Sequence, residues 1–237
     1  PEPLPEHLTD LSSKIKETKA DVGFTVDPDV DRLAMVCEDG SMFGEEYTLV
    51  AVADYVLNHT PGSTVSNLSS TRALRDVTEG KGEVYHASAV GEVNVVSLMK
   101  QTKAVIGGEG NGGIIYPESH YGRDALVGIA LFLSHLALKK CKTSQLRDSF
   151  PKYCISKNKI QLTPDINVDA VLTQMADKYS GEEVDTTDGV KIYIEKEWVH
   201  LRKSNTEPII RIYSESESMA AANALANRIK RDINAFI

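Results

Sequence analysis

Short apolar segments and helical patterns alternate between residues 47 and 140, and this alternation limits the folds open to the chain more than any other feature. Strands are predicted at 63–68, 83–86 and 104–106, and helices at 47–57, 71–78, 91–100 and 125–140. Alternation at this short spacing is typical of an α/β layer with a largely parallel sheet. The last helix follows Asp124, a residue type that caps helices. Because it has apolar residues on nearly every face, we expect it to be buried.

The pattern changes after Pro151, which marks a predicted domain boundary. Strands are predicted at 153–162, 190–195, 198–201 and 209–214, and helices at 168–179 and 218–236. Strands in succession with helices at the ends indicate an α+β unit with an antiparallel sheet. At the start of the chain, a helix at 7–19 and strands at 20–26 and 32–37 look like the last β-α-β piece of a larger domain. We therefore divide the chain into 1–41, 42–150 and 151–237.

Composition excludes several classes of protein. The formal net charge of −8 argues against general nucleic-acid binding, and it requires a phosphate site to depend on local positive groups. The longest apolar stretch, 125–138, contains Ser134 and His135 and is too short to cross a bilayer, so no membrane partner is expected. No amino-terminal segment looks like a signal peptide, and the three cysteines lack metal or redox spacing. These features predict a cytoplasmic protein.

The strand at 20–26 leads into three carboxylates at alternating positions, Asp27-Pro-Asp29-Val-Asp31, followed by Arg32. Like charges this close repel one another unless a cation lies among them. Carboxylate oxygens suit Mg²⁺, which keeps several waters and accepts a substrate phosphate oxygen. Arg32 would offer a planar fork to the same phosphate. The stretch therefore predicts a magnesium site beside a phosphate.

Three other interpretations of this stretch stay open. It could be a solvated acidic turn, a calcium loop of the helix-loop-helix type, or the catalytic loop of a phosphatase with Asp27 as the nucleophile. A calcium loop would use the three aspartates and Glu38, but its sixth position needs glycine and is Arg32 here.

A second candidate loop has five glycines in seven positions, Gly107-Gly-Glu-Gly-Asn-Gly-Gly113. Glycines let the backbone come close to a ligand. The two remaining side chains, Glu109 and Asn111, can form hydrogen bonds with hydroxyl groups, which fits a sugar better than a phosphate. A tight glycine turn after a strand is the alternative.

A third candidate loop, Arg202-Lys-Ser-Asn-Thr-Glu-Pro208, lies between two predicted strands. Its guanidinium, two hydroxyls, amide and turn N–H groups are suited to holding a phosphate dianion. The side chains concerned are those of Arg202, Ser204, Asn205 and Thr206. A plain polar turn is the alternative.

In this order and at this spacing, the three loops resemble the α-D-phosphohexomutases, a family of phosphoglucomutases, phosphomannomutases and phosphoglucosamine mutases. The resemblance covers nearly the whole chain. It implies a four-domain enzyme that moves phosphate between the 1 and 6 positions of a hexose through a bisphosphorylated intermediate, with a hexose 1,6-bisphosphate as activator. It also implies a Rossmann-like three-layer α/β domain, preceded by the end of another, and a TATA-box-binding-protein-like α+β domain.

The resemblance further implies roles for the loop residues. The Mg²⁺ ligands would be Asp27, Asp29 and Asp31, and Arg32 would have the catalytic role of stabilising the phosphoryl group. The sugar hydroxyls would bind Glu109 and Asn111, and the non-reacting phosphate would bind Arg202, Ser204, Asn205 and Thr206.

The chain also departs from the family pattern. The phosphorylated serine of the family lies in a Thr/Ser-x-Ser-His-Asn-Pro type loop of the first domain, and no such loop occurs here. We therefore expect the end of domain 2 followed by domains 3 and 4, inactive without the missing amino-terminal domains. The Gly-Glu-Gly-Asn-Gly-Gly variant resembles sequences labelled phosphoglucosamine mutase or phosphomannomutase in bacteria and archaea. That resemblance implies glucosamine phosphate as substrate, ahead of mannose or glucose phosphate. A Mg²⁺-dependent phosphatase and a non-catalytic sugar-phosphate binding module are the alternative functions.

Overall fold

A helix and a hairpin form the start of the chain in the computed structural model, which describes residues 3–163, 166–204 and 207–237. After a 3-10 turn at Pro5–His7, α1 (Thr9–Thr18) packs on the antiparallel pair β1 (Val22–Val26) and β2 (Leu33–Cys37). The helix and the two strands follow the predicted order, but the strands pair antiparallel, so they do not form a β-α-β unit. A short loop reverses the chain between β1 and β2, whereas parallel strands would need a long crossover.

An α/β layer follows the hairpin. Its elements are α2 (Glu45–His59), β3 (Thr64–Asn67), α3 (Ala73–Gly80), β4 (Tyr85–Ser88), α4 (Glu92–Thr102), β5 (Ile106–Glu109), β6 (Gly113–Ile115), α5 (Ala125–Lys139) and α6 (Thr143–Asp148). The sheet has the order β4-β3-β5-β6, in which β3 pairs in parallel with both β4 and β5. The predicted α/β class is confirmed. The glycine-rich stretch forms the turn of an antiparallel hairpin between β5 and β6. The sequence pattern did not predict β6.

The parallel strands of this layer place several loops together. The carboxyl ends of β3, β4 and β5 lie at one edge of the sheet, which is where ligands bind in open α/β sheets. The loop after β3, the turn before α4 and the glycine turn after β5 all start at this edge.

The helix α5 is less buried than its sequence predicts. Its buried residues are Ala125, Gly128, Phe132 and His135, while Leu126 is 65% exposed and Leu138 is 62% exposed. The expectation of burial on all sides is wrong, since only one face packs, with the Phe132 ring edge-on to Phe24 and Phe43. Apolar composition alone does not require burial, because folded proteins keep much apolar surface in water. Neither α5 nor any other helix of the described residues has both the length and the hydropathy to cross a membrane.

The chain divides into two units, Pro1–Pro151 and Lys152–Ile237. The second unit contains β7 (Cys154–Gln161), α7 (Val168–Lys178), β8 (Glu183–Asp185), β9 (Val190–Ile194), β10 (Glu197–Lys203), β11 (Ile209–Ser216) and α8 (Met219–Asn234). Its strands form one antiparallel sheet in the order β7-β11-β10-β9-β8. The predicted α+β class is confirmed, and β8 is an additional edge strand.

Side chains of β10 alternate between the two faces of this sheet. Val199 and Leu201 belong to the core formed with Met175 of α7 and Ile229 of α8. Because successive strand residues point to opposite faces, Arg202 lies on the face away from the helices.

Candidate functional site

The loop between β1 and β2 brings three carboxylates together. Asp27, Asp29 and Asp31 can each offer one oxygen such that the three oxygens lie within 4.8 Å of one another. The loop is flanked by strands on both sides, so the helix-loop-helix calcium interpretation is wrong. Asp27 is only 8% exposed, whereas Asp29 is exposed and Asp31 is partly buried, so the loop is solvated on one side only.

Backbone N–H groups hold Asp27 in its ionised form. Its Oδ1 accepts hydrogen bonds from the backbone N–H of Asp31 at 3.1 Å and of Arg32 at 3.0 Å. Burial alone would raise the pKa of Asp27, but these N–H groups lower it below the usual value. Asp27 therefore fixes the backbone of the loop through Oδ1, and it also contributes an oxygen to the carboxylate cluster.

Asp31 lies in the opposite electrostatic situation. Burial and the neighbouring Asp27 carboxylate raise its pKa, and the positive charge of Arg123 opposes that rise. The Nε of Arg32 lies 3.6 Å from Asp27 Oδ2 and 3.9 Å from Asp31 Oδ1, at the edge of the salt-bridge range. The cluster therefore combines three acidic groups with one adjacent guanidinium from the same loop.

Val30 is the strained residue of this loop. Its φ of 58° places a β-branched side chain in the left-handed region, where such residues are rare. Its carbonyl accepts a hydrogen bond from the backbone N–H of Ala125, the first residue of α5, at 3.1 Å. Strain of this kind persists where surrounding contacts fix the backbone, and it clusters at functional sites.

The donor set fits a divalent cation. Asp31 Oδ1 is buried and accepts no hydrogen bond from any residue that the structure describes. An unsatisfied buried acceptor is costly, and a cation would satisfy it. Mg²⁺ takes oxygen ligands at about 2.0–2.1 Å in octahedral geometry and keeps several waters, so oxygens that lie up to 4.8 Å apart would move closer together around the ion.

The glycine turn lies directly beside the carboxylate loop. The backbone N–H of Leu33, the first residue of β2, donates to the carbonyl of Gly112 at 3.1 Å. Gly112 has a φ of 86°, and a Cβ at this position would collide with the Leu33 backbone. Glycine is therefore required here, both for the turn and for the close approach of the two loops.

The side chains of the glycine turn are already engaged with protein groups. Glu109 is 5% exposed, and its Oε1 accepts hydrogen bonds from Asn67 Nδ2 at 2.7 Å and from the Gly91 N–H at 3.2 Å. The Oδ1 of Asn111 accepts the Gly113 N–H at 3.2 Å, which closes the turn. Glu109 thus joins the ends of β3 and β5 to the start of α4.

Arg123 links these parts, and the sequence patterns did not single it out. Its Nη1 lies 2.9 Å from Glu109 Oε2, its Nη2 contacts Asp31 Oδ2, and its Nε lies 3.6 Å from Glu92 Oε2. The only signal in the sequence was its position just before the cap of α5. Its partners are 31, 14 and 92 residues away along the chain, so no local pattern could have identified them.

Asp124 caps α5, as predicted. Its side chain accepts hydrogen bonds from the backbone N–H groups of Leu126 and Val127. Burial would raise its pKa, but His120 and these N–H groups hold it below the usual value.

The predicted phosphate loop lies in the second unit. Arg202 is the penultimate residue of β10, and its Nε lies 2.9 Å from Asp188 Oδ2. The Ser204 N–H donates to the Ile209 carbonyl at 3.0 Å, which holds the two ends of the loop together. Asn205 and Thr206 were predicted to bind the same phosphate and lie outside the described residues.

A buried histidine supports the partner of Arg202. The Nε2 of His200 lies 2.6 Å from the carbonyl oxygen of Asp188, and the side chain is almost completely buried. Burial lowers the pKa of His200 to about 4, so the ring is neutral at pH 7. Its Nε2 carries the proton, because a carbonyl oxygen can only accept.

Three family models match consecutive parts of the chain. The phosphoglucomutase/phosphomannomutase models for alpha/beta/alpha domain II, for alpha/beta/alpha domain III and for the C-terminal domain match residues 1–40, 44–153 and 157–231.

Individual proteins resemble the chain over nearly its whole length. A phosphoglucomutase/phosphomannomutase of Thermococcus kodakarensis is 36% identical over 92% of this chain and 48% of its own. A phosphoglucosamine/phosphogalactosamine mutase of Sulfurisphaera tokodaii is 30% identical over 98% of this chain and 52% of its own. The crystal structure of a phosphoglucomutase/phosphomannomutase family protein from Burkholderia thailandensis matches with a TM-score of 0.84 at 28% identity, covering 98% of this chain and 50% of that one. The chain spans about half the length of these relatives.

Proposed function

This chain belongs to the phosphoglucomutase/phosphomannomutase family, and we propose that it is the metal-, sugar- and phosphate-binding part of a phosphohexomutase. The enzyme would interconvert hexose 1-phosphate and hexose 6-phosphate through a bisphosphorylated intermediate, with a hexose 1,6-bisphosphate as activator. The observation that carries the proposal is the cluster of Asp27, Asp29 and Asp31 next to the glycine turn, in which Asp31 Oδ1 accepts no hydrogen bond from a described residue.

The carboxylate loop would hold Mg²⁺ and the transferring phosphoryl group. Asp27, Asp29 and Asp31 would be the ligands, and bound Mg²⁺ would supply positive charge to the phosphoryl oxygens. Arg32 would stabilise the same group, since its guanidinium borders the cluster at 3.6 Å from Asp27. Phosphoryl transfer depends mainly on positioning and charge neutralisation, which are what these groups provide.

The glycine turn would contact the sugar. Within the described residues, three donors reach the two oxygens of Glu109. A carboxylate has about four acceptor positions, so we propose that a sugar hydroxyl takes the fourth. Asn111 would add a side-chain amide from the same turn. These donors would fix the orientation of the Glu109 carboxylate, so its remaining acceptor position would point in one direction. The sugar hydroxyl would therefore bind a rigid acceptor.

The second unit would anchor the phosphate that does not react. Arg202 would bind it, with Ser204, Asn205 and Thr206 of the same loop. The ion pair of Arg202 with Asp188 supports this role, because it keeps the guanidinium beside the loop, although Nε forms no hydrogen bond with a described residue.

The proposal extends to the whole protein. Since the relatives are about twice as long as this chain, we propose that the phosphorylated serine comes from amino-terminal domains of a longer protein. The domain division 1–41, 42–150 and 151–237 stays our proposal. Glucosamine phosphate is the proposed substrate, supported by the Sulfurisphaera tokodaii relative, with mannose and glucose phosphates as the other candidates. The cytoplasmic location stays a prediction.

A mutase assay on the full-length protein tests this function. Glucosamine 6-phosphate, mannose 1-phosphate and glucose 1-phosphate would each be supplied with Mg²⁺ and a trace of the matching bisphosphate, while isomer and free phosphate are followed together. We expect isomer without free phosphate, and an Asp29→Asn variant that needs more Mg²⁺ for half-maximal rate. An exposed control, Lys196→Ala, should behave like the natural protein.

Two outcomes would replace the proposal. Free phosphate without isomer would favour a phosphatase in which Asp27 is the nucleophile. Binding of hexose phosphate with neither product would leave a non-catalytic binding module.

A further inference from the structure

Arg123 contacts carboxylates from three separate segments of the first unit. These are Asp31 of the β1–β2 loop, Glu109 at the end of β5, and Glu92, the first residue of α4. The backbone N–H of Arg123 also donates to Glu92 Oε1 at 2.9 Å. The Arg123 side chain is 14% exposed, so its contacts with Asp31 and Glu109 are largely shielded from water and salt, whereas Glu92 is 37% exposed.

The geometry of the guanidinium fixes these carboxylates relative to one another. Nη1 and Nη2 form hydrogen bonds with Glu109 and Asp31, and Nε lies 3.6 Å from Glu92 as an ion pair without a hydrogen bond to any described residue. The group is planar and permanently charged. Turning the plane would break at least one contact. Glu109 accepts hydrogen bonds from Asn67 and Gly91 at the sheet edge. These bonds fix the carboxylate that contacts the guanidinium.

The consequence for Asp31 is a defined orientation. Arg123 occupies Oδ2, and Oδ1 is left as a buried oxygen that accepts no hydrogen bond within the described part of the chain. The oxygens that Asp27, Asp29 and Asp31 can offer to a cation lie within 4.8 Å of one another. Partners behind a metal ligand commonly set its direction in this way.

We propose that Arg123 is a positioning residue, which turns Asp31 toward the cation and ties the cation loop to the sugar turn through Glu109. This inference rests on the proposed Mg²⁺ site. Arg123 would not touch the reacting atoms. It would act through Asp31, and Glu109 would support it.

Charge and geometry predict opposite effects of changing Arg123, so the two explanations can be separated. A nearby positive charge repels a cation, and removing it should strengthen Mg²⁺ binding if charge alone mattered. A lysine keeps the charge but cannot face three carboxylates with a rigid fork. If geometry matters, Arg123→Lys should already weaken Mg²⁺ binding, by about 10–100-fold, as expected for a group behind a metal ligand.

Calorimetric titration of this 237-residue chain with MgCl₂ measures the effect directly. The natural chain, Arg123→Lys and Arg123→Met would be compared at constant ionic strength. Arg75→Lys is the matched control, because Arg75 forms a salt bridge with Glu79 on α3 and takes no part in the site. Unfolding midpoints in EDTA would be recorded for every variant, so that lost folding is not mistaken for lost affinity.

The outcomes separate this inference from the proposed function. If the natural chain binds Mg²⁺ and Arg123→Lys binds it equally well, the positioning role is wrong while the metal site stands. Tighter Mg²⁺ binding by Arg123→Met, with unchanged Mg²⁺ affinity in Arg123→Lys, would show that Arg123 acts only through its charge. No Mg²⁺ binding by the natural chain would overturn both the site and the inference.

A second variant can still contradict the inference if Arg123 variants fail to fold. Glu109→Gln nearly preserves the side-chain volume but removes the negative charge opposite Nη1 of Arg123. We expect it to weaken Mg²⁺ binding several-fold in the absence of sugar. A residue that served the sugar alone would leave Mg²⁺ affinity unchanged, and that result would contradict the inference.

Discussion

Arg202 and the three aspartates illustrate two kinds of site residue. The aspartates are close because they are neighbours in the sequence, and their loop was recognisable from that spacing alone. Arg202 depends on Asp188, which is held by His200 from the same strand. Such a residue can be predicted from the composition of its loop. The residues that hold it, here Asp188 and His200, can be identified only from the folded structure.

Arg202→Ala should weaken binding of a hexose 6-phosphate to this chain by about 1.5–3 kcal/mol, the usual contribution of a hydrogen bond to a charged group. Calorimetry with the natural chain and with Lys196→Ala, an exposed turn residue, gives the comparison. An unchanged dissociation constant in Arg202→Ala would remove the anchor role, whatever happens to Mg²⁺ affinity.

His200 should make the second unit less stable as the pH falls below neutrality. Its pKa is about 4 when folded, against an ordinary value of 6.5, so the unfolded chain binds the proton first. The stabilisation is present above pH 6.5 and is lost as the pH falls toward 4. It amounts to about 2 kcal/mol between pH 7 and pH 5.

Fluorescence of Trp198 measures this effect, because it is the single tryptophan of the chain and is buried in the second unit. Urea unfolding at pH 7 and pH 5 should show a smaller pH dependence in His200→Gln than in the natural chain. His59→Gln, an exposed histidine of the first unit, should leave the dependence unchanged. An equal pH dependence in His200→Gln would assign the effect to other groups.

At the scale of elements, α5 joins the fold to the site. Its first residue donates to the strained Val30, and Arg123 lies two residues before it. Its helical pattern and its cap were predictable, since both depend on residues close in sequence. Its exposed face was not, because burial depends on what the tertiary structure places against a helix.

Asp124→Ala should destabilise the first unit by about 1 kcal/mol, since it leaves the N–H groups of Leu126 and Val127 without their acceptor. Hydrogen exchange should show faster exchange of these two amides, and Asp124→Asn should restore most of the protection. Lost Mg²⁺ affinity with unchanged amide exchange would instead make Asp124 a member of the metal site.

At the scale of the whole molecule, the two units differ in charge. Residues 1–151 contain fourteen lysines and arginines against twenty-one acidic residues, and residues 152–237 contain twelve against thirteen. The first unit therefore attracts cations, and the second repels phosphate only weakly. This division agrees with a metal loop in one unit and a phosphate anchor in the other.

Both layer types were predictable because they follow from local periodicity. The strands β6 and β8 were missed because they have only three residues each, too few for an alternating pattern. The contacts of Arg123 were missed because tertiary structure alone brings Asp31 and Glu92 to it. The sequence therefore predicted the three loops. The structure adds the contacts of Arg123 that join the carboxylate loop to the glycine turn.

The hydrogen bond from Leu33 to Gly112 constrains how this region can change in evolution. It fixes the first residue of β2 against the glycine turn, while β1 fixes the other end of the carboxylate loop. Deleting or inserting one residue between Val26 and Leu33 would shift β2 by one position and turn its fully buried side chains to the opposite face. Substitutions can therefore accumulate in this loop, but its length of six residues should be the same in every variant that keeps the fold.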